Sequence, residues 1–394
     1  MRFERPSLRG TAAAALLSLC NWQSLPAAAQ GIPVLKLKNT PPQVVFNSER
    51  DHCAPIDTPD IPPRAYRDAS GTVNMFALHF VNRALRGPDL ASVKIDCSVA
   101  LNSSLDPEPA HYDDRRYVTA TWTSDGKTVS AVVHHEYHAD DHKRCSVSNS
   151  LGCWYNSLIA FRSDDGGHSF NLARPPVVAS APFRASVEEG RHRGFFNPSN
   201  IVSDGTYEYF LSATTGWTGQ PYGVCLFRSA DPSNPALWRA WDGTGFTVQY
   251  RDPYGPDFTA PKPCKIIEPF LFPVGGVVRH HASRQWFALW SAKGGAGVFP
   301  VSGIYYATSP DLKNWSVPHL LRMTPSLLDG LCEGSIISYP TLLDETATSR
   351  NFDDVGNEAW LYYTQIDMHQ CQSGKRLLLR EKVSLEANHK ETAR

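Results

Sequence analysis

Several signatures are missing from this 394-residue sequence, and each absence removes a class of protein. There is no G-x-S-x-G, so the strand–turn–helix elbow that exposes a nucleophilic serine in α/β-hydrolases has no counterpart. Neither the phosphate-cradling P-loop glycines nor G-x-G-x-x-G occurs, which argues against nucleotide-binding sheets. No C-x-x-C is present, which argues against zinc held by closely spaced thiolates. Long basic runs are missing and the formal net charge is −1, whereas a nucleic-acid partner would call for a cationic face. Beyond the N-terminus no stretch is apolar enough to span a bilayer. Long segments of 3.6-residue periodicity are scarce, which argues against a helical fold.

What remains is an aromatic-rich chain of short apolar runs. It carries 10 Trp and 15 Tyr, suited first to sheet packing and then to sugar-stacking clefts. The N-terminus has three arginines (Arg2, Arg5, Arg9), then TAAAALLSLC, then LPAAAQG. This is the three-part pattern of a secretory signal peptide, with cleavage expected after Ala29. Its removal takes away three Arg and one Glu, moving the formal charge from −1 to −3. A secreted or periplasmic, monomeric protein is expected. Residues 30–50 read as an N-terminal extension and 51–394 as a single domain.

Nine cysteines less Cys20 leave eight, an even number that suits disulfides in an exported chain. Sequential pairing keeps each bridge local in a modular fold: Cys53–Cys97, Cys145–Cys153, Cys225–Cys264 and Cys332–Cys371.

The apolar runs repeat a plan of strand, turn and strand. Units open at 63–80, 115–138, 197–214, 275–292 and 335–345, roughly 50 to 80 residues apart. Three of them end in a strand, a Ser, an Asp turn and an aromatic. SDDGGHSF at 163–170 fits the Asp-box pattern through Ser163, Asp165, Gly167, Ser169 and Phe170. In such a box the Asp caps backbone N–H groups, Gly takes a turn that other residues resist, and the aromatic staples strands. The expected fold is all-β: a five-bladed β-propeller of four-stranded antiparallel blades.

At IYYATSPDLKNWS (304–316) and CEGSIISYPTLLD (332–344) the chain resembles the five-bladed propeller glycosidases of the arabinanase, β-xylosidase and invertase type. The resemblance spans roughly residues 50–390 and is loose. It implies a carbohydrate substrate and a trio of carboxylates, with a general-acid Glu in an E-G-[PS] segment. Carried onto this chain, Glu333 is the expected acid, Asp60 the base and Asp114 the modulator. Asp57 competes with Asp60. Where the family carries a mid-chain aspartate, this chain offers Asn197-Pro-Ser-Asn200. Hydrolysis of a glycoside needs one carboxyl to protonate the leaving oxygen and another to activate water or attack. A third charge can raise the acid's pKa.

Propeller channels are lined by the first strand of each blade, so polar residues at unit openings are the candidate ligand contacts: Asp57, Arg64, Arg115, Glu136, His138, Asn197, Asn200 and Tyr339. Other readings of the same residues are a turn role for Asp57, Asp60 and the two asparagines, and structural bridging for the arginines. Two alternatives stay open. One is a glycan- or ligand-binding propeller without catalysis. The weaker one is a sialidase, which would need Arg64, Arg115 and Arg279 to converge on a carboxylate.

HHEYHADDH at 134–142 invites a metal reading. Alternation places His134, Glu136 and His138 on one strand face, with His135 and Tyr137 on the other. Ligands at i, i+2 and i+4 on one strand splay too far to close on one zinc. No cofactor is expected, although a structural calcium in the channel is left open. Glu136 and His138 are expected at the site mouth, followed by a loop with Asp140, Asp141 and His142.

Overall fold

The computed structural model describes Met1 and residues 32–147, 150–182, 184–185, 190–256 and 258–386. Apart from Met1, the expected signal peptide lies outside the described residues. Among the described residues every regular element is a strand or a single 3₁₀ turn. The chain opens with β1 (Val34–Leu37) and β2 (Gln43–Asn47). A first antiparallel group follows: β3 (Arg64–Arg67), β4 (Val73–Phe76), β5 (Leu85–Gly87) and β6 (Lys94–Ile95). The second is β7 (Arg115–Trp122), β8 (Val129–His138), β9 (Trp154–Ser163) and β10 (Asn171–Ala179).

The third group contains β11 (Arg193–Phe196), β12 (Val202–Ser203), β13 (Glu208–Thr214), β14 (Gly223–Ser229), β15 (Arg239–Trp241) and β16 (Phe246–Val248). It joins the second through a short parallel pairing of β11 with β9. The fourth is β17 (Val274–His280), β18 (Trp286–Ala292), β19 (Gly303–Ser309) and β20 (His319–Met323). The fifth comprises β21 (Gly334–Leu343), β23 (Glu358–His369) and β24 (Gln372–Glu386), with β22 (Asp354–Val355) lying parallel to β17 of the fourth group. Both β1 and β2 pair with β24. Residues expected as an extension therefore supply edge strands to the last group. The reason is β24: it is 15 residues long, and its outer edge would otherwise expose unpaired backbone.

Apolar residues bury between the groups rather than within one. Phe76 packs with Tyr117, Val118 and Phe161, linking the first group to the second. Leu158 packs with Phe195 and Phe210, linking second to third. Leu211 and Val224 meet Trp286 and Trp290, linking third to fourth. Val278 and Phe287 meet Leu342 and Leu361, linking fourth to fifth. Met75 and Leu85 meet Trp360 and Tyr362, which brings the fifth back to the first. Middle strands such as β8 are covered on both faces, and nine of its ten residues are buried. Its first half, VSAVV, is mostly apolar on both faces, as such cover requires, while HHEYH carries polar side chains that are buried too, all but His138.

Polar side chains stitch the first strands of the groups together. Arg64, only 1% exposed, donates to the carbonyl oxygens of Thr119 on β7, Pro198 after β11 (2.9 Å) and Gly275 on β17 (2.6 Å). Asn82 bridges to β7, accepting from Val118 N (2.8 Å) and donating to Arg116 O (2.7 Å). Asn200 makes the same two-way contact with Val277 of β17, at 2.7 and 2.8 Å.

The segment between β21 and β23 touches the far ends of the other first strands. Arg67 N donates to Arg350 O (2.8 Å), Thr123 N to Asn351 Oδ1 (2.9 Å), Ser203 N to Asp353 Oδ2 (3.1 Å) and Arg279 N to Asp353 O (2.8 Å). Residues 350–353 thus cover one end of these strands, and β3, β7, β11, β17 and β21 begin at the other.

All four disulfides join the expected pairs: Cys53–Cys97, Cys145–Cys153, Cys225–Cys264 and Cys332–Cys371. The Asp box is a closed hydrogen-bonded turn. Ser163 donates to Asp165 Oδ1 (2.6 Å), Ser169 donates both N–H (3.0 Å) and O–H (2.6 Å) to the Asp165 carboxylate, and Gly167 N donates to Ser163 Oγ (2.8 Å). Gly167 has φ +92°, and a Cβ there would lie 1.7 Å from the Tyr66 hydroxyl oxygen.

Although desolvation opposes ionisation at Asp165, the hydrogen bonds from Ser163 and Ser169 prevail and lower its pKa to about 2. Its stabilisation is therefore complete above the unfolded value near 3.8 and is lost as pH falls towards about 2. Urea unfolding between pH 4 and pH 2 checks this: stability of Asp165→Asn should fall less steeply than that of the wild type. Parallel slopes would show that the turn does not depend on the charge.

Candidate active site

At the open end of the axis, side chains from four groups converge. Asp60 precedes β3. It accepts a hydrogen bond from the Tyr339 hydroxyl (3.2 Å), is ion-paired with Arg376 of β24, and has His79 Nε2 at 3.3 Å from its other oxygen. Glu136 sits on β8, 8% exposed, with His138 Nε2 at 3.2 Å and His134 Nε2 at 3.8 Å. The three share one face, as alternation requires.

Burial raises the pKa of Glu136; His138 partly offsets this, and the charge of Asp60 adds to it. Both carboxyl groups bear on Tyr117 of β7. Burial, then the charges of Glu136 and Asp60, hold its hydroxyl well above its ordinary pKa. Behind Glu136, the Asn156 side chain bridges His134 and His192. Desolvation pushes His134 down to about 3 and His192 to about 4, so both rings are neutral at pH 7.

A cleft of about 170 Å³ adjoins this cluster, lined by Phe196, Asn197, Tyr222, Phe272, Leu328 and Tyr339 among others. Asn197 and Tyr339 sit in left-handed backbone, at φ +46° and +61°, and each precedes a proline. That conformation is uncommon for a non-glycine residue and a genuine outlier for one as bulky as Tyr. At Tyr339 it coincides with a break in the β21–β23 register between Ser338 and Thr341. The bulge turns the Tyr339 ring into the cleft and its hydroxyl onto Asp60.

Not every expected contact is here. Asp57 is fully buried in its own turn, accepting from Cys53 N (3.0 Å) and Ala54 N (2.7 Å) and paired with Arg83 at 2.7 Å. Asp114 closes the end of β8, accepting from His138 N (2.8 Å) and bonding His142 Nε2 (3.0 Å). Arg115 bridges Asp114 and Asp141 while bearing on Glu136. Arg64 spends its donors on carbonyls, and Asn200 on β17.

Glu333 lies elsewhere. Its side chain is 64% exposed beside the Cys332–Cys371 bridge, where it takes the N–H of Gln370 (2.8 Å) and contacts His369 (3.1 Å). Arg64, Arg115 and Arg279 do not converge: Arg279 lies over Trp286 at the end of β17, against the covering segment. Among the described residues no three His, Cys, Asp or Glu side chains are arranged to hold a metal ion.

The chain resembles solved glycoside hydrolases. The catalytic domain of a GH62 α-L-arabinofuranosidase from Coprinopsis cinerea is 12% identical, with 90% of this chain and 98% of that one covered and a TM-score of 0.47. A glycosyl hydrolase from Bacteroides ovatus is 10% identical over 89% and 93%, with a TM-score of 0.44. A fructofuranosidase from Schwanniomyces occidentalis, complexed with fructose, is 10% identical over 91% and 60%, at 0.43. No protein-family model and no curated protein sequence matches the chain.

Sequence reasoning missed Tyr117, His79, Asn156, His192 and Arg376 as members of this site. A strand-face count would have flagged Tyr117, which faces His134 across the β7–β8 pair. No local pattern marks Arg376, which is brought to Asp60 from 316 positions away.

Proposed function

We propose that this protein is an exported five-bladed β-propeller glycoside hydrolase, with Glu136 as general acid and Asp60 as general base. The observation that carries the reading is the contrast between the two carboxyls whose charges bear on Tyr117. Glu136 is buried beside the neutral His134 imidazole, and burial raises its pKa. Asp60 is ion-paired with Arg376 and hydrogen-bonded by Tyr339. Neighbouring carboxyls in opposite environments are how acid and base roles are divided. In the reaction, Glu136 gives its proton to the glycosidic oxygen as the bond from the anomeric carbon breaks. Asp60 takes a proton from the water whose oxygen bonds that carbon; the products are a reducing sugar and the leaving alcohol, and Asp60 then gives its proton to solvent while Glu136 takes one back.

The covered axis end makes the open end the entry. The aromatic cleft beside Tyr339 supplies faces on which a sugar ring or its aglycone can stack. Four disulfides suit an oxidising compartment, and no helix among the described residues is long and apolar enough to cross a membrane.

A panel of short oligosaccharides and alkyl glycosides, whose leaving groups need a proton, tests the assignment. Turnover by Glu333→Gln should stay within about twofold of wild type, because an exposed carboxylate at a hairpin edge has no part in the chemistry. A loss comparable to that of Glu136→Gln would return the acid role to Glu333. Binding of a glycan without turnover would favour a recognition protein on the same surface.

A further inference from the structure

The cleft beside Tyr339 is chemically unlike the cluster it adjoins. Asp60, Glu136, His138 and Arg376 are groups that can exchange hydrogen bonds with sugar hydroxyls. Among the described residues, no charged side chain lines the cleft. Its walls include Phe196 at the end of β11, Tyr222 just before β14, Phe272 just before β17, and Leu327 and Leu328 in the turn between β20 and β21. Tyr222, Leu327 and Leu328 are 49%, 39% and 36% exposed. Covering their apolar surface with an apolar ligand would be favourable.

The polar groups of the cleft are few and mostly occupied. The Tyr339 hydroxyl donates to Asp60 (3.2 Å), and Ser338 Oγ accepts from Leu327 N (3.2 Å). Asn197 bears on His134. Ser291 Oγ on β18 is buried without a hydrogen-bond partner. A sugar ring carries a hydroxyl on most of its carbons, and in this cleft most of them would lose water without gaining a partner. An aromatic ring makes no such demand. An apolar cavity of about 150 Å³ is enough to hold benzene, and this cleft has about 170 Å³.

We propose that the cleft is the leaving-group subsite and takes an uncharged aromatic aglycone, with the Ser291 hydroxyl meeting a single polar substituent on the ring. This rests on the reading of Glu136 and Asp60 as acid and base. The sugar then occupies the polar cluster, and the alcohol that receives the Glu136 proton carries the aromatic ring. The cleft adjoins the partners of both carboxyls. Tyr339 joins it to Asp60, and Asn197 joins it to His134, which lies 3.8 Å from Glu136. An anionic aglycone would find no cation on the cleft walls and the Asp60 carboxylate beside it.

Two measurements separate the subsite from the catalysis. The first is binding of 4-fluorobenzyl alcohol, followed by fluorine NMR with no sugar present. The wild type should bind it with a Kd of about 5 mM or tighter, a modest demand on so small a ligand. Leu328→Asp and Tyr222→Ala, both at exposed positions, should each weaken binding at least about fivefold. Absence of saturable binding by the wild type, or unchanged binding by both folded variants, overturns the proposal.

The second is kcat/KM for the benzyl and methyl glycosides of one sugar, beside a disaccharide with that sugar at its non-reducing end. Benzyl alcohol and methanol are similarly weak acids, so their ratio reports the cleft and not the ease of departure. The benzyl glycoside should be preferred at least about tenfold over both, and Leu328→Asp should abolish the preference. A disaccharide preferred over the benzyl glycoside overturns the proposal by making the cleft a sugar subsite. If the wild type turns over none of them, the acid–base reading fails and the leaving-group role with it, while the binding measurement still decides whether the cleft holds an aromatic ring.

Discussion

Glu136→Gln should lower turnover of glycosides with poor leaving groups by about 10²- to 10⁴-fold, the usual worth of a positioned general acid. At about 1.4 kcal/mol per factor of ten, that is roughly 3–5 kcal/mol of lost transition-state stabilisation. The loss should shrink sharply for aryl glycosides whose leaving group departs as a stable phenolate, since such a group does not need the proton. The pH profile should change as well. The proton Glu136 donates is present below its pKa, which burial holds above the ordinary carboxyl value. Wild-type activity should fall as pH rises through that raised value, and this basic limb should vanish in Glu136→Gln. Equal losses for all leaving groups, or a basic limb that survives the substitution, would show that Glu136 positions substrate without donating a proton.

The second large effect concerns stability. Arg64→Met should cost about 3–5 kcal/mol, because each buried acceptor left without its donor costs about 1–3 kcal/mol. Methionine fills much of the volume, so the loss reports the carbonyl oxygens of Thr119, Pro198 and Gly275, which have no replacement donor at the buried axis. Urea unfolding should show a lower midpoint with an unchanged slope. Arg64→Lys should recover only part of the loss, because one ammonium cannot reach three first strands as a planar fork does. A change below about 0.5 kcal/mol in Arg64→Met would mean that apolar packing between the groups alone holds them in register.

Much of the architecture was legible because it repeats. Strands β3, β7, β11, β17 and β21 lie at or near the expected unit openings. The Asp box forms the turn that its residue types demand. Alternation along β8 placed His134, Glu136 and His138 correctly on one face. What stayed hidden depends on distant pairing. Residues 34–47 gave no sign that their partner is the last strand, since edge pairing is set by a backbone more than 300 positions away. The acid was sought at Glu333 by resemblance, but β21 bends inward only at the Ser338–Thr341 bulge, which delivers Tyr339 to the axis and leaves Glu333 at the hairpin edge. Asp57 and Asp60 look alike in sequence. The turn amides of Cys53 and Ala54 capture the first and leave the second for Arg376.

The most direct measurement is turnover of a panel of aryl glycosides and short oligosaccharides by the wild-type protein beside the Asp60→Asn/Glu136→Gln double variant, with folding of both checked by urea unfolding. The account predicts hydrolysis of at least one glycoside by the wild type and none by the folded double variant. A wild type that turns over nothing on the panel, or a double variant that hydrolyses as fast as the wild type, would contradict it.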